Sequence, residues 1–434
     1  MRFSTLAEWL SWQERLHPSE IDLGLGRVSE VLCRLRRDRP ACPVISVAGT
    51  NGKGSCVAML TAIYQAAGYR VGAFTSPHLL RYNERICIDG VEVSDELLCR
   101  VFERIDQVRG DISLTYFEFG ALAAIECFAR ANVDVMVMEV GLGGRLDAVN
   151  ILDADVALIS SVGVDHEAWL GSDRETIGRE KAGIMRAGRP AVCGDPEPPA
   201  SIAAVAESLG AELFVQGVDF EAQVQSGQWR WQAKGRRRDA LPMPALRGRY
   251  QLQNAAAVVM VLELLAQRLP VSQSNLREGL ASAQVAGRFQ VVPGDVALVL
   301  DVAHNPQAAK ALAENLRGWP TPGQTHAVVA TMADKDVVEI FSLLAGEIDC
   351  WHLSEIDLPR TASIAQLEGA LAGLGLNQCQ RYNTVAQALR QVQATAQPHD
   401  RIVVFGSFYT VAEAITAIHT SSSSAVSGRT GVKE

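Results

Sequence analysis

Short apolar runs alternate with stretches of helical periodicity along most of the chain from residue 44 onward. Such alternation is typical of parallel strands joined by covering helices, so we expect an α/β fold. The first series of runs predicts a mainly parallel sheet with strands at residues 44–48, 70–74, 134–140, 156–162 and 190–193. A second series, at residues 296–300, 326–331 and 401–405, predicts a smaller Rossmann-like α/β domain.

Three segments interrupt this alternation. Residues 212–246 contain strictly alternating stretches, which predict a small antiparallel excursion from the first sheet. Pro293 and Gly294 break the pattern further on, so we place the domain boundary beside them. The serine-rich polar tail has little to bury and is predicted to be disordered. The resulting division is a first domain over residues 1–288, a linker at 289–295, a second domain over 296–420 and a tail at 421–434.

Composition and charge narrow the class of protein. A chain of 434 residues with 48% hydrophobic and 21% charged residues is typical of a globular protein with more than one core. The formal net charge of −9 argues against general affinity for nucleic acid, and no apolar run is long enough to span a bilayer. The nine cysteines include no C-x-x-C pair, which disfavours a zinc site or a disulfide framework. With no recognisable signal peptide, these features lead us to expect a cytoplasmic protein without nucleic-acid or membrane partners.

A glycine-rich loop with a lysine and a following hydroxyl lies between the first strand and a helical pattern. Its glycines allow backbone N–H groups to converge on phosphate oxygens, and the helix N-terminus adds partial positive charge. The lysine can reach the outer phosphates and the serine can ligate Mg²⁺. The spacing departs from the usual phosphate loop, because Val47 replaces the first glycine and a glycine separates the lysine from the serine. The sequence therefore predicts a variant nucleotide-binding loop composed of Gly49, Thr50, Asn51, Gly52, Lys53, Gly54 and Ser55.

Polar residues follow two neighbouring predicted strands. Ser76 comes shortly after the strand at 70–74, and Glu139 ends the strand at 134–140, where Gly141, Gly143 and Gly144 follow. A carboxylate at the end of a strand beside a phosphate loop is well placed to hold a phosphate-bound Mg²⁺. An acidic residue that merely caps a turn is the alternative interpretation of Glu139.

The next predicted strand runs into Val164-Asp165-His166, and Lys181 follows within a helical segment. His166 lies at the sheet edge that Ser76 and Glu139 share, and an oxygen-rich Mg²⁺ shell accepts an imidazole. A structural histidine and a solvated helix lysine are the alternative interpretations.

These segments together resemble the folylpolyglutamate synthases, in particular the bacterial bifunctional members that also make dihydrofolate. The family belongs to the same superfamily as the Mur ligases, and the resemblance extends over roughly residues 10–415. The motifs that carry the resemblance occur in order along the chain, at residues 49–55, 76–78, 139–150, 165–166, 178–183, 287–289 and 301–306.

The resemblance implies a set of cofactors. Ser55 and Glu139 would hold one Mg²⁺, and Ser76, Glu139 and His166 would hold a second. Lys181 matches a lysine that is carbamylated in relatives, which would convert a cation into an anionic metal ligand. A monovalent cation is also implied.

The resemblance further implies the substrate-binding residues of an ATP-dependent glutamate ligase. The ATP site would include Asn254, Arg288, Asp301 and His304 besides the loop, with Lys53 and Arg288 offsetting charge on the transferring phosphoryl group. Ser407, at the end of the strand at 401–405, is expected to meet L-glutamate. The dihydropteroate or reduced folate substrate would lie against Asp22, Leu23, Thr115, Tyr116, Phe117, Glu118, Leu146 and Asp147.

Three alternatives stay open on the sequence alone. One is a folylpolyglutamate synthase without dihydrofolate synthase activity. Another is a Mur-type peptide ligase, although only about forty residues precede the phosphate loop, where larger members carry a nucleotide-sugar domain. The last is a non-enzymatic nucleotide switch. The family leads us to expect a monomer.

Overall fold

The computed structural model describes residues 2–427 and divides the chain into two compact units. Unit 1 contains the residues up to Ala245 together with Tyr250–Gln284, and unit 2 contains Leu246–Arg249 and the residues from Val285 on. Both units are of the α/β type, so the predicted fold class is confirmed.

Unit 1 is built on an eight-stranded sheet. Its strand order is β4-β3-β2-β5-β1-β6-β7-β8. In this order the six strands β2-β5-β1-β6-β7-β8 pair in parallel, and β3 and β4 add an antiparallel hairpin beside β2. A separate antiparallel sheet has the order β11-β10-β9. The strands are β1 (Val44–Ala48), β2 (Val71–Phe74), β3 (Ile86–Ile88), β4 (Val91–Glu92), β5 (Val135–Glu139), β6 (Val156–Ile159), β7 (Pro190–Cys193), β8 (Glu212–Val215), β9 (Phe220–Gln225), β10 (Gln228–Ala233) and β11 (Arg236–Pro242).

The helices of unit 1 pack apolar faces on the large sheet. Strands β1 and β5 are buried at every position, as expected for central parallel strands covered on both faces. The helices are α1 (Leu6–Gln13), α2 (Gly26–Leu35), α3 (Lys53–Ala66), α4 (Asp95–Arg109), α5 (Tyr116–Ala131), α6 (Glu167–Leu170), α7 (Arg174–Ala182), α8 (Ala200–Leu209), α9 (Arg249–Leu264) and α10 (Gln273–Ser282), with 3₁₀ turns at Tyr82–Arg85 and Ala148–Ile151.

Unit 2 has a six-stranded sheet of order β12-β13-β17-β14-β15-β16, in which only the β12–β13 pair is antiparallel. Its core is formed by apolar residues of the central strands and of the covering helices. The elements are β12 (Gln290–Val292), β13 (Ala297–Leu300), α11 (Pro306–Arg317), β14 (Thr325–Val329), α12 (Val337–Leu344), β15 (Cys350–Leu353), α13 (Ile364–Gly373), β16 (Cys379–Arg381), α14 (Val385–Thr395), β17 (Arg401–Phe405) and α15 (Phe408–Ser427).

Several predicted boundaries differ from the structure. The antiparallel excursion begins at β9, because β8 pairs in parallel with β7 in the large sheet. The segment predicted as a linker at 289–295 contains β12, and Pro293 and Gly294 lie in the turn of the β12–β13 hairpin. A hairpin turn and a linker carry the same proline and glycine signal, so the pattern alone does not separate them.

The side chains of the predicted tail, residues 421–434, are outside the described part of the structure. The backbone of α15 is helical through Ser427, into the predicted tail, whereas residues 428–434 lie outside the described residues, where disorder stays a prediction. Among the helices of residues 2–427, none combines the length and the apolar character required to cross a membrane.

Candidate active site

The predicted phosphate loop, residues 49–55, connects β1 to α3 at the carboxyl edge of the large sheet. Gly49 and Gly52 have φ angles of +150° and +89°, values that residues with a side chain rarely adopt. A Cβ atom on Gly52 would lie 2.6 Å from Oδ1 of Asn254, a residue of α9. The loop is therefore shaped by glycine, and the predicted ATP ligand Asn254 lies directly against it.

Two serines that follow β6 hold the loop in place. Ser160 Oγ and Ser161 Oγ donate to the carbonyl of Asn51 at 2.6 and 3.0 Å, and the amide of Thr50 donates to the carbonyl of Ser161 at 2.8 Å. The predicted strand at 156–162 ends at Ile159 because the backbone turns here to meet the loop. Sequence reasoning missed both serines, although a pair of hydroxyl residues at the end of an apolar run was a usable signal.

Lys53 begins α3 and turns its side chain toward the loop. Its Nζ donates to the carbonyls of Gly49 and Thr50 at 3.0 and 3.3 Å. Its charge adds to the burial that lowers the pKa of Lys181 and opposes the burial that raises the pKa of Asp147, which places all three groups in one electrostatic environment.

Glu139 and Ser76 meet at the same sheet edge. Glu139 ends β5, is 4% exposed, and accepts a hydrogen bond from the amide of Ser76 at 3.3 Å. A Cβ atom on Gly54 would lie 3.8 Å from Glu139 Oε2, so the carboxylate also borders the phosphate loop. The structure thus brings together the two strand ends from which a metal site was predicted.

Ser55 takes part in a buried chain of polar side chains. Gln251 Nε2 donates to Ser55 Oγ at 3.2 Å, and Asn254 Nδ2 donates to Gln251 Oε1 at 3.1 Å. All three residues are at most 8% exposed. Gln251 was not predicted as a site residue, and its separation of 196 positions from Ser55 explains why.

Lys181 lies near the end of α7 and is 3% exposed. Burial lowers its pKa to about 7, the Lys53 charge acts in the same direction, and Asp165 opposes the shift. A substantial fraction of Lys181 is therefore an uncharged amine at neutral pH.

His166 is the N-cap residue of α6, with an exposed side chain and a φ angle of +54°. Its amide donates to Asp165 Oδ1 at 2.8 Å. Asp165, which was not among the predicted site residues, is the neighbour whose charge reaches Lys181.

The donors at this edge fit Mg²⁺ only in combination with other ligands. In the described part of the chain, no group of three or more His, Cys, Asp or Glu side chains could hold a metal ion. Ser55, Ser76 and Glu139 offer oxygen atoms, the ligands that Mg²⁺ prefers, and Mg²⁺ commonly completes its shell with water and substrate phosphates.

Arg27 connects two predicted substrate residues that are far apart in the sequence. Its guanidinium donates to Asp22 Oδ2 at 2.7 Å and to Glu118 Oε1 at 3.0 Å. Thr115 and Glu118 form the capping box of α5, since the amide of each residue donates to the side chain of the other. These two residues therefore also start the helix that carries the next two candidates, Tyr116 and Phe117.

Phe117 and Asp147 border the glycine loop that follows β5. A Cβ atom on Gly141 would lie 2.6 Å from Phe117 Cζ, so glycine is required for this contact. Asp147 Oδ2 accepts hydrogen bonds from the amides of Gly141 and Leu142 at 3.0 and 2.9 Å, and burial raises its pKa to about 6. Leu23 and Leu146 are both partly buried.

Unit 2 gathers a second set of predicted residues. Asp301 follows β13 and accepts hydrogen bonds from the amides of Phe289 and Ala303, each at 2.8 Å. Burial raises its pKa, while the charges of Arg288 and His304 oppose the shift.

Phe408 connects two of these residues. The Arg288 guanidinium carbon lies 5.0 Å from the centre of the Phe408 ring, and the His304 and Phe408 rings are 6.4 Å apart. Arg288, Asp301 and His304 thus form one cluster within unit 2.

Ser407, the predicted glutamate contact, is 5% exposed and lies at the start of α15. Its Oγ lies 2.7 Å from Thr410 Oγ1 and accepts a hydrogen bond from the Thr410 amide at 3.0 Å. Thr410 Oγ1 in turn donates to the carbonyl of Ala330 at 2.6 Å. Ser407 therefore has a structural role whatever it binds.

Comparison with known proteins first defines a class. Residues 287–408, which include the Arg288, Asp301 and His304 cluster, match the family described as Mur ligase, glutamate ligase domain. A phosphate loop on a parallel sheet and a glutamate ligase domain together define an ATP-dependent amide ligase of the Mur type.

Curated relatives specify the family. The dihydrofolate synthase/folylpolyglutamate synthase of Escherichia coli is 44% identical over 415 residues, 96% of each chain. The protein of that name from Haemophilus influenzae is 38% identical and covers 94% of this chain and 97% of its own. The chain belongs to the dihydrofolate synthase/folylpolyglutamate synthase family.

Solved structures agree with this family. E. coli FolC in complex with DHPP and ADP matches with a TM-score of 0.92 and 43% identity, covering 96% of this chain and 99% of that chain. The Yersinia pestis bifunctional folylpolyglutamate synthase/dihydrofolate synthase, complexed with AMPPNP and Mn ion, matches with a TM-score of 0.90 and 46% identity, covering 96% and 98%.

Proposed function

We propose that this chain joins L-glutamate through an amide bond to dihydropteroate, making dihydrofolate, and to reduced folates, extending their glutamate tail. ATP provides the driving force. The observation that carries this function is the convergence of Lys53, Ser76, Glu139, Asp147 and Lys181 at one sheet edge, in a chain closely similar to bifunctional enzymes over nearly its whole length.

The first step transfers the γ-phosphoryl group of ATP to the substrate carboxylate. A carboxylate oxygen attacks phosphorus, the bond to the β-phosphate oxygen breaks, and ADP and an acyl phosphate result. Lys53 would exchange its loop carbonyl partners for phosphate oxygens and offset their charge. In the second step the neutral amine of L-glutamate attacks the acyl carbon and inorganic phosphate leaves with the former carboxylate oxygen.

Ser55, Ser76, Glu139 and His166 are the proposed Mg²⁺ ligands, at two sites. Bound Mg²⁺ would neutralise charge on the transferring phosphoryl group. The buried Glu139 carboxylate and the Ser55 hydroxyl suit this role because both are oxygen donors beside the phosphate loop. We also propose that the site binds a monovalent cation.

Lys181 is proposed to carry a carbamate. Its neutral amine would add to CO₂ with loss of one proton, which converts a buried group with a lowered pKa into an anion. The anion would relieve the repulsion between Lys181 and Lys53 and would supply a further oxygen ligand.

The remaining candidates are proposed to bind substrates. Asn254, Arg288, Asp301 and His304 would serve ATP, and Ser407 would serve L-glutamate. The pterin side would be formed by the segments that contain Asp22, Leu23, Thr115, Tyr116, Phe117, Glu118, Leu146 and Asp147.

The purified protein with ATP and Mg²⁺ provides the direct test of function. ADP release should require L-glutamate together with dihydropteroate or with tetrahydrofolate, and mass spectrometry should find one added glutamyl residue in each product. A Mur-type precursor peptide should not stimulate release. Activity with tetrahydrofolate but none with millimolar dihydropteroate would restrict the enzyme to polyglutamylation, and ADP release that neither folate stimulates would contradict the function.

We further propose a monomer in the cytoplasm. The nine cysteines are all free in the structure, which suits a reducing compartment. Light scattering of the purified protein would test the monomeric state.

A further inference from the structure

Arg85 is placed at the candidate active site by the edge hairpin of the large sheet. It directly precedes β3, and its carbonyl accepts a hydrogen bond from the amide of Thr75 at 2.9 Å. Because β3 is antiparallel to β2, the start of β3 lies at the carboxyl end of β2, the end from which Ser76 follows.

Its guanidinium is held by aromatic rings. The guanidinium carbon lies 5.6 Å from the ring centre of Tyr82 and 5.5 Å from that of Tyr116, distances at which cation–π attraction operates. Arg85 Nε donates to His78 Nδ1 at 2.8 Å.

This arginine has no acidic partner. Across residues 2–427, no Asp or Glu oxygen lies within 4 Å of its nitrogen atoms, and its two terminal nitrogens make no hydrogen bond. The adjacent carboxylate, Glu84, is occupied by the backbone amides of Leu79, Leu80 and Arg81, each at 2.7 Å. By contrast, Arg27 in the same unit is paired with two carboxylates. Arg85 thus presents an uncompensated, half-buried fork of two N–H donor groups beside Tyr116.

Such a fork matches a planar carboxylate. Strand β3 is separated from β1, which carries the phosphate loop, by three strand spacings, or about 14 Å. A carboxylate that reacts with ATP must have an oxygen free to attack phosphorus near that loop, whereas a carboxylate clamped by a bidentate arginine has both oxygens engaged. The position and the chemistry of Arg85 therefore suit a carboxylate of the substrate that does not react.

The two proposed substrates differ in whether they carry a carboxylate that does not react. Dihydropteroate has a single carboxylate, which must react, whereas a folate that already carries glutamate has a reacting carboxylate and a neighbouring α-carboxylate. We infer that Arg85 binds the α-carboxylate of the terminal glutamyl residue and is a specificity residue for chain extension. This inference rests on the proposed function.

The test compares both reactions in Arg85→Gln and in a matched control. Arg81→Gln is the control because Arg81 lies in the same loop, is largely exposed, and pairs with Glu92 and Asp95 on the surface. In Arg85→Gln the KM for tetrahydrofolate should rise on the order of 30-fold, the loss typical of a charge-assisted pair. The KM for dihydropteroate should change less than threefold, and Arg81→Gln should leave both values near those of the parent.

A modified substrate tests whether the α-carboxylate is the group that Arg85 binds. Tetrahydrofolate with its α-carboxylate converted to a carboxamide should bind the parent enzyme about 30-fold more weakly. Arg85→Gln should not distinguish the amide from the acid. Arg85→Lys, which keeps the charge but loses the fork, should recover part of the affinity.

The outcomes separate this inference from the proposed function. Equal loss of both reactions in Arg85→Gln, or unchanged discrimination between acid and amide, would refute the role of Arg85 while leaving the ligase intact. A parent enzyme that glutamylates neither substrate would instead refute the function. Retained dihydropteroate activity in Arg85→Gln is itself the evidence that the variant folds.

Discussion

Asp147 in unit 1 and Asp301 in unit 2 invite comparison. Each follows a buried strand of a parallel sheet, each accepts backbone amide hydrogen bonds, and burial raises the pKa of each. Their cationic surroundings differ. Arg288 acts on Asp301 as Lys53 acts on Asp147, and Arg288 also lies over the ring of Phe408. Lys53, in contrast, adds to the burial that lowers the pKa of a second cation, Lys181.

The difference shows where two cations lie close enough to repel each other in the absence of ligands. The cluster in unit 2 satisfies its own charges through hydrogen bonds, a carboxylate and an aromatic ring. At the sheet edge of unit 1, the half-buried Lys53 and the buried Lys181 repel each other, and phosphate or carbamate oxygens would relieve that repulsion. We therefore expect substitutions in the unit 1 site to remove activity with little loss of stability.

Lys53→Ala should have the largest effect. Turnover should fall at least about a thousandfold, because phosphate charge would lose its main protein partner. The melting temperature of the nucleotide-free protein should stay within a few degrees, since a buried repulsion with Lys181 is removed. Lys234→Ala, on an exposed turn, is the matched control. Near-parental turnover in Lys53→Ala would invalidate the phosphate-loop assignment.

Loss of the Lys181 carbamate should have the second-largest effect on activity. Acid treatment in CO₂-free buffer should lower activity about a hundredfold, and bicarbonate should restore it. Only the neutral amine reacts with CO₂, so at fixed CO₂ the recovery rate should rise about tenfold per pH unit below the Lys181 pKa of about 7 and level off above it. A ¹³C spectrum of active, metal-bound enzyme that shows an unmodified Lys181 would contradict the proposal.

Asp22→Ala should discriminate between the two substrates. We expect the dihydropteroate reaction to fall about tenfold more than the extension reaction, because a smaller substrate depends more on pterin contacts for its position. Steady-state kinetics with both substrates provides the measurement, and Glu30→Ala, which disrupts only an exposed ion pair, is the control. Equal effects on both reactions would mean that Asp22 acts only through Arg27 and the fold.

Ser407 allows a small and separable effect in unit 2. Ser407→Ala and Thr410→Val both disrupt the hydrogen bonds at the start of α15 and should each cost about 1 kcal/mol of unfolding free energy. Only Ser407→Ala should also raise the KM for L-glutamate, by about tenfold. If the two variants give the same KM, Ser407 has a purely structural role.

Much of the fold and the centre of the site could be predicted from local patterns. The central strands are continuous apolar runs, and the carboxyl ends of parallel strands meet at one edge, so the sequence alone predicts that Ser76 and Glu139 lie together. The phosphate loop could also be predicted, because the glycines, the lysine and the serine that form it are neighbours in the sequence at residues 49–55.

The contacts that support the site depend on distant parts of the chain. Ser160 and Ser161 reach the loop from another strand, Gln251 reaches Ser55 from α9, and Arg27 joins Asp22 to Glu118. No spacing rule encodes such pairs. Arg85 illustrates the same limit, because only the structure shows that Glu84 is already occupied by backbone amides.

The most direct test of the ligase chemistry follows oxygen atoms. Dihydropteroate labelled with ¹⁸O in its carboxylate should be incubated with enzyme, ATP and L-glutamate, and the inorganic phosphate analysed by mass spectrometry. Passage through an acyl phosphate predicts one ¹⁸O atom in each phosphate released. If the released phosphate carries no ¹⁸O, ATP does not activate the substrate carboxylate, and this result would contradict the account.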